Sequence, residues 1–175
     1  MREQCPLCGK KLVEPSGPEN ADVLLIGGKP GWEEIAKGML WIGKAGKVLD
    51  AELAKQGIQR GSVRITNLWL HEPPPPGTPK KPNPEYGTEL DWHFGRLLKE
   101  LKGKKYILLM GAEPCEVLKV GNVMDVSGLQ VSSEYFRGQV CIASPNPAIV
   151  LHGESKDALV GEVRLAFGRF AELIS

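Results

Sequence analysis

A glycine-rich loop follows the first strongly apolar run of the chain, and its composition suits ligand binding through backbone amides. The apolar residues 23–26 lead directly into Gly27, Gly28, Lys29, Pro30 and Gly31. Glycine leaves accessible the backbone amides that a Cβ atom would screen, and proline fixes the dihedral φ. Because ligands of open α/β sheets bind where strands end, we expect this loop to border an active site. The loop lacks G-x-G-x-x-G and no G-K-[ST] follows, which disfavours the two standard phosphate-binding loops.

Two cysteines near the start of the chain have the spacing of a metal-binding turn. Cys5 and Cys8 lie in the sequence Cys-Pro-Leu-Cys-Gly, so a tight turn can present both thiolates to one metal ion. Cys115 and Cys141 lie in apolar segments and are expected to pack as small hydrophobic residues. We therefore expect no disulfide framework, and this cysteine usage favours a reducing, cytoplasmic environment.

Hydrophobic periodicity predicts an alternation of strands and helices. Strands are expected at residues 22–26, 63–69, 106–110 and 139–143. Helices are expected at residues 45–55, 86–101 and 112–119, followed by a last helix that carries Leu159, Val163, Phe167 and Phe170. This alternation is typical of a mostly parallel sheet covered on both faces. The sequence thus predicts an α/β fold, a three-layer α/β/α sandwich, as one domain over residues 1–175.

Two segments do not fit a simple alternation. Residues 72–84 are rich in proline, which has no amide donor, so neither a helix nor a central strand can form there. We expect a stiff surface loop, either an ordered element that faces DNA or a polyproline spacer. Residues 123–137 are expected to form an irregular, hairpin-like segment.

Length and charge restrict the class of protein without identifying a partner. The chain has 175 residues, of which 42% are hydrophobic, and this is enough for one core of ordinary size. No apolar run approaches a membrane span and no signal-peptide core opens the chain, so we expect no membrane association. A formal net charge of +1 means that nucleic-acid binding must come from a local patch. The candidate patches, with solvated loops as the alternative, are Lys80 with Lys81, and Lys102 with Lys104 and Lys105.

Four segments of the chain, in the same order, resemble motifs of the uracil-DNA glycosylase superfamily, and most nearly those of its family 4. Family 4 has G-E-A-P-G-x-x-E-x-x-x-G-x-P-F-V-G-x-A-G, which this chain matches without a gap at Gly27, Pro30, Gly31, Glu34, Gly38, Gly43, Ala45 and Gly46. The other segments are residues 65–68 (I-T-N-L, similar to T-N-V), 109–115 (L-M-G-A-E-P-C, similar to L-G-x-x-A) and 144–148 (S-P-N-P-A, in place of H-P-A). The resemblance implies a uracil-DNA glycosylase-like fold and an N-glycosidase that flips a base out of DNA during repair.

The resemblance also implies roles for individual side chains. Trp41 occupies the position of the family's pocket phenylalanine, which implies stacking on the extruded base; the alternative is a core tryptophan. Asn67 matches the family's base-recognising asparagine, whose carboxamide suits the N3–H and O4 edge of uracil; the alternative is an Asx turn. Asn146 replaces the histidine that binds the departing uracil anion, and its amide can still donate to a developing oxyanion. The expected substrate-binding set is completed by Gly27, Gly28, Pro30, Gly31, Ser144 and Pro145.

The chain departs from the family pattern in the glycine-rich loop. Gly28 stands where family 4 has a glutamate linked to water activation or cation stabilisation. Glu33 and Glu34 lie nearby, but we expect both on the outward face of a turn. Lys29 has three interpretations: a nucleophile of lowered pKa that attacks C1′, a contact to a DNA phosphate, or a surface residue. Lys29 is therefore kept among the candidate catalytic residues.

These matches and departures leave three function classes open. The first is a glycosylase acting on uracil or another altered base, with catalysis resting on Asn67, Asn146 and the backbone amides of residues 27–31. The second is a catalytically silent member of the same fold that binds a flipped or single-stranded base. The third is a small-molecule or nucleotide-binding α/β domain. The implied partner is DNA, single-stranded or double-stranded, and the protein is expected to be a monomer.

The resemblance bears on the metal as well. Family 4 carries a 4Fe-4S cluster on four cysteines, and Cys5 and Cys8 match the first pair. His71 stands at the third position, and His93 falls near the fourth once the longer proline-rich loop is allowed for. Two thiolates and two imidazoles form a common structural zinc site and would be unusual for a four-iron cluster. We expect zinc, with a 4Fe-4S cluster or no metal as alternatives.

Overall fold

The computed structural model describes residues 3–151 and 156–175, and this part of the chain contains a five-stranded sheet. Its strands are β1 (Val23–Gly27), β2 (Arg64–Asn67), β3 (Tyr106–Met110), β4 (Gln130–Val131) and β5 (Val140–Ser144). They lie in the order β2-β1-β3-β5-β4, and neighbours are parallel except that β4 is antiparallel to β5. The register pairs Gly27 with Asn67 and Met110 with Ser144, so the carboxyl ends of four strands lie at one edge.

Helices cover both faces of the sheet. They are α1 (Trp32–Lys37), α2 (Lys44–Lys55), α3 (Glu89–Glu100), α4 (Ala112–Val117), α5 (Val123–Val126) and α6 (Lys156–Ile174). Successive strand residues point to opposite faces. Leu25 and Leu108 pack with α2 and α6, whereas Leu24 and Ile107 pack with α3 and α4. The predicted three-layer α/β/α sandwich with a mostly parallel sheet is therefore confirmed.

The hydrophobic core between the sheet and helices α3 and α4 contains two cysteines. Cys115 and Cys141 are fully buried among its apolar side chains, as expected for packing residues. Within the described ranges every cysteine is free.

The observed elements differ from the predicted ones mainly at short or capped segments. Glu33 and Glu34, expected on a turn, lie in the helix α1. The helix predicted from residue 86 begins at Glu89, because Thr88 accepts from the Asp91 amide while the Asp91 side chain accepts from the Thr88 amide. Residues 123–137 are not a hairpin but contain α5 and the short strand β4.

None of the helices in residues 3–151 and 156–175 has both the length and the apolar composition needed to cross a membrane.

The segment that precedes β1 packs along the outer side of β2. Ser16 and Ile65 exchange two backbone hydrogen bonds of 2.9 and 3.0 Å. The Val13 amide donates to the Leu70 carbonyl at 2.6 Å. These contacts hold the cysteine turn of residues 5–8 beside the loop that follows β2.

Candidate active site and metal centre

The residues predicted to contact the substrate converge on one edge of the sheet. Asn67 is the last residue of β2, the glycine-rich loop follows β1, and Asn146 follows β5. Since these strands are parallel, their carboxyl ends form the edge at which such sheets bind ligands. Of the other members of the set, Gly27, Pro30, Ser144 and Pro145 are buried, Gly28 is partly exposed, and Lys29 and Gly31 are exposed.

Trp41 and Asn67 form a buried hydrogen-bonded pair. The indole Nε1 donates to the Asn67 Oδ1 at 2.9 Å, and the two residues are 5% and 2% exposed. Gly27 makes this approach possible, because a Cβ atom there would lie 2.5 Å from both the Asn67 Oδ1 and the Trp41 ring. Trp41 has a left-handed backbone with φ of 57°, a strained conformation for a large side chain. The contact between this indole and the carboxamide is therefore formed with a strained backbone at Trp41.

Arg96 of α3 holds the end of β2 in place. Its guanidinium donates to the Thr66 hydroxyl and the Leu68 carbonyl at 3.2 Å each, and also to the Asn67 carbonyl. Burial lowers the pKa of Arg96 to about 10, so the group stays charged at neutral pH. Glu100, one helical turn along, lies 3.8 Å from it. Sequence analysis missed Arg96, although its i,i+4 spacing from Glu100 on a predicted helix was a signal.

Asn146 is fixed by a local turn. Its Oδ1 accepts from the Ala148 amide at 2.9 Å. A Cβ atom on Gly111, which follows β3 with φ of 109°, would lie 3.3 Å from the Asn146 Cβ and 3.7 Å from its Nδ2. Among the residues that the structure describes, the Nδ2 has no acceptor. The carboxamide can therefore donate to a ligand at this edge.

Lys29 lies in an exposed ion pair. Its Nζ is 2.8 Å from Oε1 of Glu72, and the two side chains are 49% and 52% exposed. This pair links the glycine-rich loop to the start of the proline-rich loop. The amine has no apolar enclosure of the kind that activates a nucleophilic lysine.

The expected position of Glu34 is wrong. It lies in α1 and is 8% exposed, with Oε2 at 2.9 Å from the place of a Cβ atom on Gly43 and 3.1 Å from that on Gly31. The short helix turns this side chain inward, which a turn would not do. Glu33 is partly exposed.

One of the predicted basic patches is remote from this edge. Lys104 is buried, and its Nζ donates to the carbonyls of Glu19 and Ala21. Lys105 pairs with Asp22 at 2.8 Å. Both lysines directly precede β3 and so lie at the amino ends of the strands. Lys104 is therefore neither part of an exposed basic patch nor a solvated loop residue.

A different basic groove borders the candidate site. It has a volume of about 460 Å³ between α2, α6 and the 3₁₀ turn Pro147–Leu151 that follows Asn146. Its basic lining residues are Lys44, Lys47, Lys55 and Arg164. The buried Glu52 carboxylate pairs with Lys55 at 2.7 Å.

Donor atoms of four side chains form a compact group that could hold a metal ion. The donors of Cys5, Cys8, His71 and Glu89 all lie within 4.8 Å of one another. The His71 Nε2 is 3.5 Å from the Cys8 Sγ and 3.5 Å from the Glu89 Oε2. The His71 Nδ1 lies 2.9 Å from the Glu72 carbonyl, to which it can donate, and this leaves the Nε2 lone pair for a metal.

His93, the predicted fourth ligand, lies outside this compact group but next to it. Its Nε2 is 3.0 Å from the His71 Nε2. The ring is fully buried, and burial, with His71 and Arg96 nearby, lowers the pKa of His93 to about 3. Burial also lowers the pKa of His71. Both imidazoles are therefore neutral, as metal ligation requires.

The geometry of these donors suits one ion. Ligands about 2.0–2.3 Å from a tetrahedral zinc ion lie about 3.3–3.8 Å apart. The two distances of 3.5 Å from the His71 Nε2 fall in this range, and all donors of the group lie within 4.8 Å of one another. A four-iron cluster, whose ligands bind different iron atoms, needs wider spacing and thiolates. Two buried atoms, the Glu89 Oε2 and the His93 Nδ1, have no hydrogen-bond partner among the described residues. Glu89 was missed by sequence analysis, although it and His93 are one helical turn apart.

Open, mostly parallel α/β sheets bind ligands at the carboxyl ends of their strands, where Asn67 and Asn146 lie in this chain. The family model described as "Uracil DNA glycosylase superfamily" matches residues 14–166. The chain belongs to the uracil DNA glycosylase superfamily, and the predicted family is confirmed.

The chain is similar to Type-4 uracil-DNA glycosylases from three organisms. It is 35% identical to that of Pyrobaculum aerophilum over 81 residues, covering 45% of this chain and 41% of the relative. For Archaeoglobus fulgidus the identity is 39% over 93 residues, covering 53% and 45%. For Thermotoga maritima it is 26% over 156 residues, covering 87% and 79%. The first two matches thus span less than half of the relatives' length.

Proposed function

We propose that this protein is a DNA glycosylase that hydrolyses the N-glycosidic bond of uracil or another altered base. The observation that carries the proposal is the buried pair of Trp41 and Asn67 at the carboxyl edge of the sheet, in a chain of this superfamily. The pair fixes the orientation of a hydrogen-bonding group, and in this proposal that group recognises the flipped base.

Base recognition rests on the fixed orientation of the Asn67 carboxamide. Because an indole can only donate, the bond from Trp41 identifies the Oδ1 and leaves the Nδ2 as a donor. The Nδ2 donates to uracil O4, and the second lone pair of the Oδ1 accepts from N3–H. Cytosine would present an amino donor to the Nδ2 and is rejected. Stacking of the base on Trp41 stays a prediction, and it requires the indole face to become accessible.

Asn146 assists departure of the base. As the N-glycosidic bond breaks, negative charge accumulates on the base, and the Nδ2 donates to an oxygen that carries part of it. A donor placed in this way contributes about 10²–10³ in rate. The turn to Ala148 and the contact with Gly111 hold the carboxamide before the charge develops.

DNA is proposed to bind along the basic groove. Lys44 and Lys47 begin α2 only a few residues after Trp41, and Arg164 faces them from α6. Cationic side chains in a groove beside the site would contact phosphates. For Lys29 a phosphate contact is favoured over covalent catalysis, because its exposed ion pair with Glu72 can exchange for a phosphate. Borohydride trapping on abasic DNA tests this, since a trapped adduct that is lost in Lys29→Ala would establish a nucleophile.

The proposed metal is a structural zinc ion. Cys5, Cys8 and His71 would hold it, with Glu89 or His93 as the fourth ligand. When bound, zinc would cross-link the cysteine turn to the loop after β2 and to α3. No step of the reaction depends on it.

A second candidate function is a silent nucleic-acid-binding protein, which is favoured by the absence of a side chain at Gly28. The test is a panel of single-stranded and double-stranded oligonucleotides, each with uracil or another altered base at one position. Strand scission at that position after alkali treatment supports the glycosylase. Selective binding without scission supports the silent binder. If the panel shows neither scission nor selective binding, both proposals are contradicted.

A further inference from the structure

The carboxylate of Glu113 lies against the glycine-rich loop at the candidate active site. Glu113 belongs to the first turn of α4, two residues after Gly111. A Cβ atom built on Gly28 would lie 3.3 Å from the Glu113 Oε2 and 3.6 Å from its Cδ. A carboxylate from a neighbouring strand end thus occupies the space beside the bare backbone of Gly28.

We propose that Glu113 is the catalytic residue that activates water in the glycosylase reaction, an inference that rests on the proposed function. In the sheet, β3 lies between β1 and β5. Glu113 follows β3, so it lies between the glycine-rich loop after β1 and Asn146 after β5. Asn146 itself packs on Gly111. The carboxylate therefore lies against the glycine-rich loop, and the same strand end contacts Asn146 through Gly111, two residues before Glu113.

The step balances as a hydrolysis. The C1′–N bond breaks and its electron pair leaves with the base, while the sugar gains oxocarbenium character. The oxygen of water bonds to C1′ as one of its protons moves to the Glu113 carboxylate. That proton then passes to the base anion. The products are the free base and an abasic deoxyribose, and Glu113 is again ionised.

The surroundings of Glu113 suit this role. Glu113 is exposed. Its carboxyl group has no hydrogen-bond partner among the described residues, so it is free to accept a proton from water. Partial burial of the carboxyl group raises the pKa of Glu113. Lys29 from the loop after β1 opposes this rise, whereas Glu116 on α4 and Glu72 after β2 add to it.

The other carboxylates near the loop are less suitable. Glu34 is only 8% exposed, and its carboxylate lies against Gly31 and Gly43. Glu72 is engaged by Lys29.

Glu113→Gln tests the assignment, because it keeps the size of the side chain and removes its basicity. The full-length variant should lose about 100-fold or more in kcat, with KM changed less than about threefold. The wild-type rate should fall as pH decreases through a pKa above the usual 4.5, since only the ionised carboxylate accepts a proton. This acid limb should disappear in Glu113→Gln.

Two further variants separate catalysis from structure. Glu116→Gln, on the same helix and also exposed, should keep the rate at neutral pH and retain the acid limb, moved to lower pH because Glu116 raises the pKa of Glu113. Adding Gly28→Glu to Glu113→Ala should recover about tenfold or more of the lost rate, because it returns a carboxylate to the same space. Circular dichroism confirms that each variant is folded. If the wild type is active and Glu113→Gln keeps its rate and acid limb, the assignment is overturned while the proposed function stands. A wild type that releases no base from the panel overturns both.

Discussion

The Nε1 of Trp41 and the Oδ1 of Asn67 are joined by a 2.9 Å hydrogen bond inside the protein. The bond defines which end of the carboxamide is oxygen, since the indole cannot accept a hydrogen bond. The orientation of the Asn67 carboxamide is therefore set by the fold before any ligand binds. Arg96 reinforces it from the other side by binding the Asn67 carbonyl.

Trp41→Phe should destabilise the protein. The change leaves the buried Oδ1 of Asn67 without its donor, which costs about 1–3 kcal/mol. Urea unfolding measures this loss as a lower midpoint at constant slope. Trp32→Phe is the matched control, because Trp32 is 79% exposed, and it should change the free energy of unfolding by less than about 0.5 kcal/mol. Equal midpoints for the two variants would contradict the importance of the bond.

Asn67→Ala and Trp41→Ala should each weaken binding to an oligonucleotide that holds the cognate base. We expect a loss of about tenfold or more, or about 1.4 kcal/mol, as a base-specific contact is removed. Affinity for the unmodified strand should barely change, because it depends on phosphate contacts. Fluorescence anisotropy with both strands measures the difference, with exposed Asn20→Ala as the control. Equal losses for both strands would instead make the two residues structural.

The double variant Lys44→Ala, Lys47→Ala should lower affinity for every DNA sequence alike. Each phosphate contact contributes about 0.9 to the slope of log affinity against log salt, so the slope should fall by about 2. Lys102→Ala with Lys105→Ala is the control, because these lysines lie at the opposite end of the strands. An unchanged slope in the groove variant, or a fall in the control alone, would place the DNA elsewhere.

Metal analysis of the purified protein should give one zinc ion per chain. Replacing Cys5 and Cys8 with serine should remove the zinc and lower Tm, because the metal couples the cysteine turn to α3. A brown protein with iron and sulfide in place of zinc would contradict this prediction.

Separate variants identify the fourth zinc ligand. Glu89→Gln and His93→Gln are compared by zinc content, and the ligand is the one whose loss lowers zinc affinity about 10- to 100-fold or more. Exposed Glu85→Gln, in the preceding loop, should retain the metal.

Much of the sheet was predictable from sequence. Tyr106–Met110 was placed without error because a buried parallel strand is a continuous apolar run. The short helix Trp32–Lys37 was not predictable, since its N-cap Gly31 offers no side-chain cap and its large apolar residue, Trp32, faces solvent. Local sequence signals for a helix are absent there, so formation of this helix depends on tertiary packing.

The sequence proposes individual residues of the candidate site but not the contacts between them. Resemblance placed Trp41 and Asn67 in one pocket, yet their bond depends on how closely Gly27 lets them approach. Glu113 contacts Gly28 from the end of a different strand, and the spacing of the two residues in the sequence does not predict that contact. The same holds for Glu89, whose nearness to Cys8 follows from the course of the N-terminal segment.

That N-terminal segment has a consequence for association between molecules. β2 is an edge strand of the sheet. Ser16 of the segment forms hydrogen bonds with the backbone amide and carbonyl of Ile65, which would otherwise be unpaired. An open strand edge is a template for pairing with another chain, and from there for aggregation. The cysteine turn anchors the segment at its far end. The metal-ligating side chains of residues 5–8 therefore help to determine whether β2 pairs with the N-terminal segment of its own chain or with a second molecule.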